Sequence, residues 1–169
     1  MRLIALGLLF LACGLTGVFL SRGLQLRVRE LEAILRLLGV LRAQMQFSRA
    51  PLGPMLSQAC AQGQSPAFLP GCLERLGAGR PFPEAWRLAV ERGGGPRPDG
   101  LRPEDRRLLL SLGELLGSTD ADGQREGLLL HEELARQLLE SARQRRDTQG
   151  RAFFTLGVLS GLTLVILLI

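Results

Sequence analysis

Residues 3–20 read LIALGLLFLACGLTGVFL and residues 152–169 read AFFTLGVLSGLTLVILLI; neither stretch holds a charged side chain. Each run of 18 residues makes about 27 Å of α-helix, close to the roughly 30 Å hydrocarbon core of a bilayer. A helix that is apolar on every face must be buried in protein or in lipid, and a chain of 169 residues cannot enclose two of them. Both runs are therefore expected to be membrane spans. A cleaved signal peptide is the rival reading of the first, but its basic region is only Met1 and Arg2, and no convincing small-x-small site precedes Ser21. Leu11-Ala12-Cys13-Gly14 invites a lipoprotein reading. Against it, Phe10 stands where a lipobox usually has Leu, and the apolar run continues past Cys13.

Charge placement sets the expected topology. The chain carries 21 basic and 16 acidic residues, net +5, and has no Tyr. All its basic residues are Arg, and Lys, Asn and Tyr are jointly absent, as GC-rich codon usage produces. Arg2 precedes the first run, and every other charge lies between Arg22 and Arg151 with both signs interspersed. A nucleic-acid binder gathers its basic residues on one face and adds stacking aromatics for single strands; neither pattern is present, so nucleic acid is not an expected partner. Arg22, Arg27, Arg29 and Arg36 follow the first run, and Arg136, Arg143, Arg145, Arg146 and Arg151 precede the second. The positive-inside rule then predicts a two-pass protein with both termini outside and residues 21–150 in the cytoplasm.

That middle reads as helices separated by Pro and Gly. Over residues 24–48, Leu31, Ile34, Leu35, Leu38, Leu41 and Met45 form one helical stripe, with Arg29, Glu32 and Arg36 on the other side and Glu32–Arg36 a favourable i,i+4 pair. Pro51 opens a shorter helix to about Gln62, and Pro66 and Pro70 flank another that ends near Leu76. Residues 77–81 (GAGRP) turn the chain into a helix over 83–92, where Trp86 reads as a core anchor, with a binding hot spot as the alternative. Residues 93–100, GGGPRPDG, read as a flexible linker and cannot be a P-loop, which needs GK followed by Ser or Thr. Pro103, Glu104 and Asp105 start a helix over 103–116, Gly117 suits its C-cap, and Ser118, Thr119 and Asp120 can cap the next. That last helix is predicted from about 121 to 150, with Leu130, Leu134 and Leu138 at helical spacing, and is free to continue into the second run. With no period-2 alternation long enough for a strand, the expected class is all-α.

Catalytic chemistry is hard to assemble. His131 is the single His and, beside Glu132 and Glu133, lacks HExxH spacing; it reads as a surface or packing residue. Asp120-Ala121-Asp122-Gly123 starts like a calcium loop, but the Gly comes at the fourth position and no ligand series follows. No G-x-S-x-G is present, and Glu104-Asp105 is explained by a helix start. Cys60 and Cys72 read as packed small apolar residues in a reducing compartment. The expectation is a protein without catalytic, metal or cofactor-binding residues, working by binding other proteins.

Residues 109–124, LLSLGELLGSTDADGQ, resemble the stage III sporulation protein AB family of endospore-forming bacteria. Leu112-Gly113, Leu116-Gly117, Thr119-Asp120 and Gln124 fall where that family has an aromatic-Gly, Leu-Gly, Ser-Asp and Gln. Phe47 and Pro51-Leu52 within residues 41–52 (LRAQMQFSRAPL), and Glu84-Ala85-Trp86, are further matches. Departures are Gln44 in place of an acid, Leu112 in place of Phe and Thr119 in place of Ser. The family's soluble region is similar to the six-helix cytoplasmic domains of type II secretion inner-membrane platform proteins. The resemblance implies a cytoplasmic bundle of about six helices between two terminal transmembrane helices. It also implies a non-enzymatic scaffold role in a channel between mother cell and forespore, in the mother-cell membrane, engaging channel-complex membrane proteins and a cytoplasmic secretion-type ATPase.

The segment carrying Gly117, Ser118, Asp120 and Gln124 has two readings, a helix–helix turn or a docking corner for a partner. The alternative to a channel scaffold is a two-span membrane adaptor that transmits a signal through the helix continuous with the second run. Gly157 and Gly161 form a G-x-x-x-G face that supports helix pairing in either case. The low aromatic content suggests a modest core, and self-association of the 21–150 segment as a homo-oligomer.

Overall fold

The computed structural model describes residues 2–47, 52–61, 65–93, 99–118 and 121–168, and the side chains of residues 22–45, 52–61, 65–93, 99–117 and 123–148 with Thr155 and Leu159. Six helices make up the described chain: α1 (Arg2–Phe47), α2 (Leu52–Ala61), α3 (Leu69–Gly77), α4 (Phe82–Arg92), α5 (Pro103–Ser118) and α6 (Ala121–Leu168). No strand occurs among the described residues. The expected class is correct, but the expected count needs amendment. There are six helices in all, and the first and last carry the apolar terminal runs without a break, so these are not two extra helices outside a six-helix bundle. Among the described residues no helix is long and apolar enough to cross a membrane. The side chains of residues 3–20, and all but two of those of 152–169, lie outside the described set, so the two expected spans fall outside that statement.

α1 and α6 are the long pair, and they run antiparallel. The Glu32 carboxylate accepts from Arg143 at 2.7 Å, and about three turns along Arg42 donates to Glu132 at 2.8 Å. Glu32 is thus tied across to α6, a partner that the i,i+4 reading within α1 did not anticipate. Along this seam Val28, Leu31, Ile34, Leu38 and Leu41 of α1 are buried, as are Leu128, Ala135, Leu139 and Ala142 of α6. The α1 stripe read from sequence is the core stripe, with Leu35 and Met45 packed at its edge. On α6 only Leu138 of the three leucines packs against the core; Leu130 is 59% and Leu134 39% exposed, and Ala135 and Ala142 face inward.

The short helices complete the core along the chain, α2 on α1 and α3, α3 on α4, α4 on α5, and α5 on α6. They contribute Met55 and Leu56, Leu69 and Cys72, Ala85, Trp86, Ala89 and Val90, and Leu109, Leu112 and Leu116. Proline and glycine set their limits. The α3 C-terminus closes as a Schellman motif, in which the Arg80 N–H donates to the Arg75 carbonyl (3.2 Å) and the Gly79 N–H to Leu76 (3.0 Å), with Gly79 at φ 80°. At α5, Arg102 precedes Pro103 and its N–H is accepted by Asp105 at 2.8 Å, the third-residue half of a capping box.

The segment 93–100 is held at its C-terminal end. Asp99 is buried and accepts from Arg106 at 2.8 Å, while Arg106 also donates to the Val90 carbonyl. Gly100, at φ 65°, lies so close to α1 that a Cβ would stand 2.9 Å from the Arg27 nitrogen. Residues 94–98, the centre of the expected flexible linker, lie outside the described residues.

Candidate functional site at the α5–α6 corner

Of the residues singled out in the sequence, Trp86 and Gly117 lie where α4 packs on α5, and Gln124 where α5 meets α6. Trp86 is 1% exposed, and its indole N–H donates to the Leu109 carbonyl at 2.7 Å. The ring meets Phe68 edge-on (centroids 5.0 Å apart, planes at 75°) and Phe82 at a tilt (5.5 Å, 44°). Its face lies on bare backbone, since a Cβ on Gly113 would stand 2.3 Å from the indole Cδ1. One turn on, a Cβ on Gly117 would stand 2.8 Å from Pro83 Cγ, and across the corner one on Gly127 would stand 2.5 Å from the Leu115 methyls. Glycine at 113 and 117 therefore lets α4 pack directly on α5. Gly117 lies in the last turn of α5 and not beyond it as a cap.

Gln124 donates from Nε2 to the Leu116 carbonyl at 3.2 Å, satisfying one acceptor that the end of α5 leaves open. Ser118 is the final residue of α5; its side chain and the whole of Asp120 lie outside the described residues. His131 is buried against the same corner. Its Nδ1 donates to the Gly127 carbonyl (2.8 Å), and Nε2 lies 3.0 Å from Ser111 Oγ. Each of these polar contacts joins α5 to α6 or closes a turn within α6, so the described part of the corner does structural work.

The topology arginines divide. Arg22 and Arg145 are exposed, Arg146 pairs with Asp147 at 2.9 Å, and the Arg151 side chain lies outside the described residues. Arg27 is 2% exposed and forks onto Asp105, with Nε to Oδ2 and Nη2 to Oδ1 both 2.8 Å, while Nη2 also reaches Glu104 at 2.8 Å. Burial, the largest single influence, works against the guanidinium charge. The hydrogen bonds and charges of Asp105 and Glu104 together outweigh it and hold the pKa above its ordinary value. Arg27 thus ties α1 to the start of α5, a role that sequence reading missed. A signal was present: Arg27 stands in register with Leu31, Ile34 and Leu38 on the core stripe of α1, as Asp105 does with Leu109, Leu112 and Leu116 on α5.

Glu30 provides a second tie. Its carboxylate accepts the Ala67 N–H at 2.9 Å ahead of α3, and burial, with repulsion from Asp99, pushes its pKa up against that hydrogen bond. Cys72 is fully buried, which pushes its thiol up to about 11 despite the nearby Arg75 charge. Cys60 is half-buried, 3.7 Å from Ser65 Oγ, and both thiols are free. Among the described residues no group of three or more His, Cys, Asp or Glu side chains could hold a metal ion.

No curated protein and no solved structure matches the chain significantly. The family model of stage III sporulation protein AB matches residues 2–169. That span takes in the Trp86–Gly113 and Gln124–Leu116 contacts and both long helices, and the chain belongs to this family of sporulation proteins.

Proposed function

We propose that this sporulation protein is a non-enzymatic membrane scaffold of a secretion-like channel complex, anchored through residues 3–20 and 152–169, with a cytoplasmic bundle that engages the complex's ATPase. The observation that carries the reading is continuity. The two long helices that pair along the bundle, α1 and α6, are the same helices whose far ends are charge-free for a bilayer thickness. Their antiparallel register, carried outward from Glu32–Arg143, sets the two apolar runs side by side as a hairpin. Gly157 and Gly161 on the second run suit close helix approach there. The arginines at the inner ends of both runs support a cytoplasmic position for residues 21–150. Membrane lipids and other channel-complex membrane proteins are the remaining partners under this reading.

The test is fractionation followed by affinity capture of the tagged full-length chain from sporulating cells. The expected result is a membrane fraction resistant to alkaline carbonate, in which capture brings down the ATPase and channel subunits. A carbonate-soluble chain overturns the anchoring. Capture from membranes without the ATPase overturns the scaffold role and favours the adaptor. Introduced cysteines near residue 100 should be labelled only after the membrane is opened to the cytoplasmic side.

A further inference from the structure

Two surfaces of the bundle complement each other without meeting in one molecule. On α6, away from Leu128, Ala135 and Leu139, an apolar ridge stands out: Leu129, Leu130 and Leu134 are 50%, 59% and 39% exposed. Beside it Glu126, Glu133, Glu140 and Asp147 recur every seventh residue, all exposed, and make an acidic row along the helix. On α1, a groove of about 470 Å³ opens against the α2–α3 side, lined by Ala33, Gly39, Val40 and Ala43 with Pro66 opposite. Arg36 lies at this groove, and Arg29 and Arg22 continue from it at the same seven-residue interval, all exposed. Among the described residues nothing requires bare backbone at Gly39, since a Cβ there would meet no atom within 4 Å. A glycine inside a helix costs about 1 kcal/mol relative to Ala.

We propose that the occupant of the α1 groove is the α6 ridge of a second copy of this chain, in a head-to-tail contact between neighbours in one membrane. The inference rests on the anchoring proposed above, which gives neighbouring copies the same orientation and the same height. The internal register fixes which residues share a height. With Arg42 beside Glu132 and Glu32 beside Arg143, Ala43 stands within about 2 Å of the level of Leu130, and Arg36 within about 2 Å of Glu140. The leucines of one copy thus face the small residues of the next, and acids face arginines. A two-fold contact of the ridge with itself would instead set Glu126, Glu133 and Glu140 against their own mates. Because the joined surfaces differ, the contact is heterologous and repeats from copy to copy, closing a ring when the rotation allows.

The experiment uses the full-length chain in membranes, with Cys13, Cys60 and Cys72 replaced by Ala. Differently tagged copies carry Ala43→Cys or Leu130→Cys and are co-expressed and mildly oxidised. The expected product is the 43–130 disulfide between differently tagged chains, with Arg36→Glu lowering its yield about tenfold through like-charge repulsion and Glu140→Arg restoring it in the double variant. Native Trp86 emission shows that each variant is folded. Only 43–43 or 130–130 products, no cross-link at all, or a yield indifferent to Arg36→Glu would each overturn the contact. A chain that stays in the carbonate-resistant membrane fraction yet forms no 43–130 disulfide sinks this inference and leaves the anchoring intact.

Discussion

Gly113→Ala adds a single methyl group at the point where α4 rests on α5, and its effect follows from the distances. The new Cβ would stand 2.3 Å from the Trp86 Cδ1 and 2.7 Å from its Nε1, inside any real contact. The indole must retreat, and Phe68 and Phe82 hold two of its sides at 5.0 and 5.5 Å. Overpacking a filled core costs about 1–3 kcal/mol. Moving the ring also strains the 2.7 Å bond from Nε1 to the Leu109 carbonyl, for about 1 kcal/mol more. Against this, Ala in place of Gly inside a helix returns about 1 kcal/mol. The expected balance is a loss of about 2 kcal/mol, which lowers Tm by about 4–8 °C in a domain of this size.

The assay is direct because the chain has 1 Trp and no Tyr. Thermal unfolding of the purified full-length chain in detergent is followed by Trp86 emission and by far-ultraviolet circular dichroism. Trp86→Phe removes the larger ring, so Gly113→Ala in that background should cost less, with a coupling of about 1 kcal/mol between the two sites. Gly39→Ala is the contrasting control, expected to hold or raise Tm because a Cβ there meets nothing. A Gly113→Ala variant that melts at or above the parent with unshifted emission would refute the packing argument.

Three other outcomes follow from the ties. Arg27→Met leaves Asp105 buried without its counter-charge and should cost about 3–5 kcal/mol in denaturant unfolding, whereas Arg27→Met with Asp105→Leu should recover a large part of that; equal losses in both variants would remove the ion pair as the cause. Glu30 has a folded-state pKa raised above its ordinary value of 4.5, so its contribution is most favourable when it is protonated and is lost as pH rises through the folded value. Glu30→Gln keeps an acceptor for the Ala67 N–H and should gain stability relative to the parent between about pH 4 and pH 7; a difference that is flat across that range counts against it. In the native protein a maleimide should label Cys60 well before Cys72, whose thiol is held up at about 11; simultaneous labelling, followed by mass spectrometry, contradicts the burial.

Local punctuation made much of the fold legible. Pro51, Pro66, the 77–81 turn and Pro103 mark the starts and stops of α2 to α5 within a few residues of where they fall. The α1 core stripe was legible because it is built from branched and long apolar side chains that recur on one face. The α6 stripe was misleading for the converse reason. Its inner face uses Ala135 and Ala142, which admit a close neighbour, while Leu130 and Leu134 face outward and dominate any hydropathy pattern. The long-range contacts were not legible at all. Nothing local says that Gly113 and Gly117 receive Trp86 and Pro83 from α4, or that Glu32 reaches Arg143 across the bundle. Arg27 lay between these cases, since its place on an apolar stripe was visible but its partner, 78 positions away, was not.

The placement of the ties bears on what such a bundle can transmit. A helix of 46 residues is about 69 Å long, and alone it would bend or twist under a load applied at one end. Here α1 is cross-braced at three heights, by Arg27 to Asp105, by Glu32 to Arg143 and by Arg42 to Glu132. The lowest brace joins α1 to the start of α5, and the far end of α5 is bound through Gln124 and His131 to the start of α6. α1, α5 and α6 therefore form a closed loop of elements in which sliding any helix breaks a polar contact, a buried one at Arg27 and part-buried or exposed ones elsewhere. A push received at the α5–α6 corner would be carried to the ends of both long helices together as one body, and not as a hinge between them. That is the mechanical property the scaffold proposed above would require.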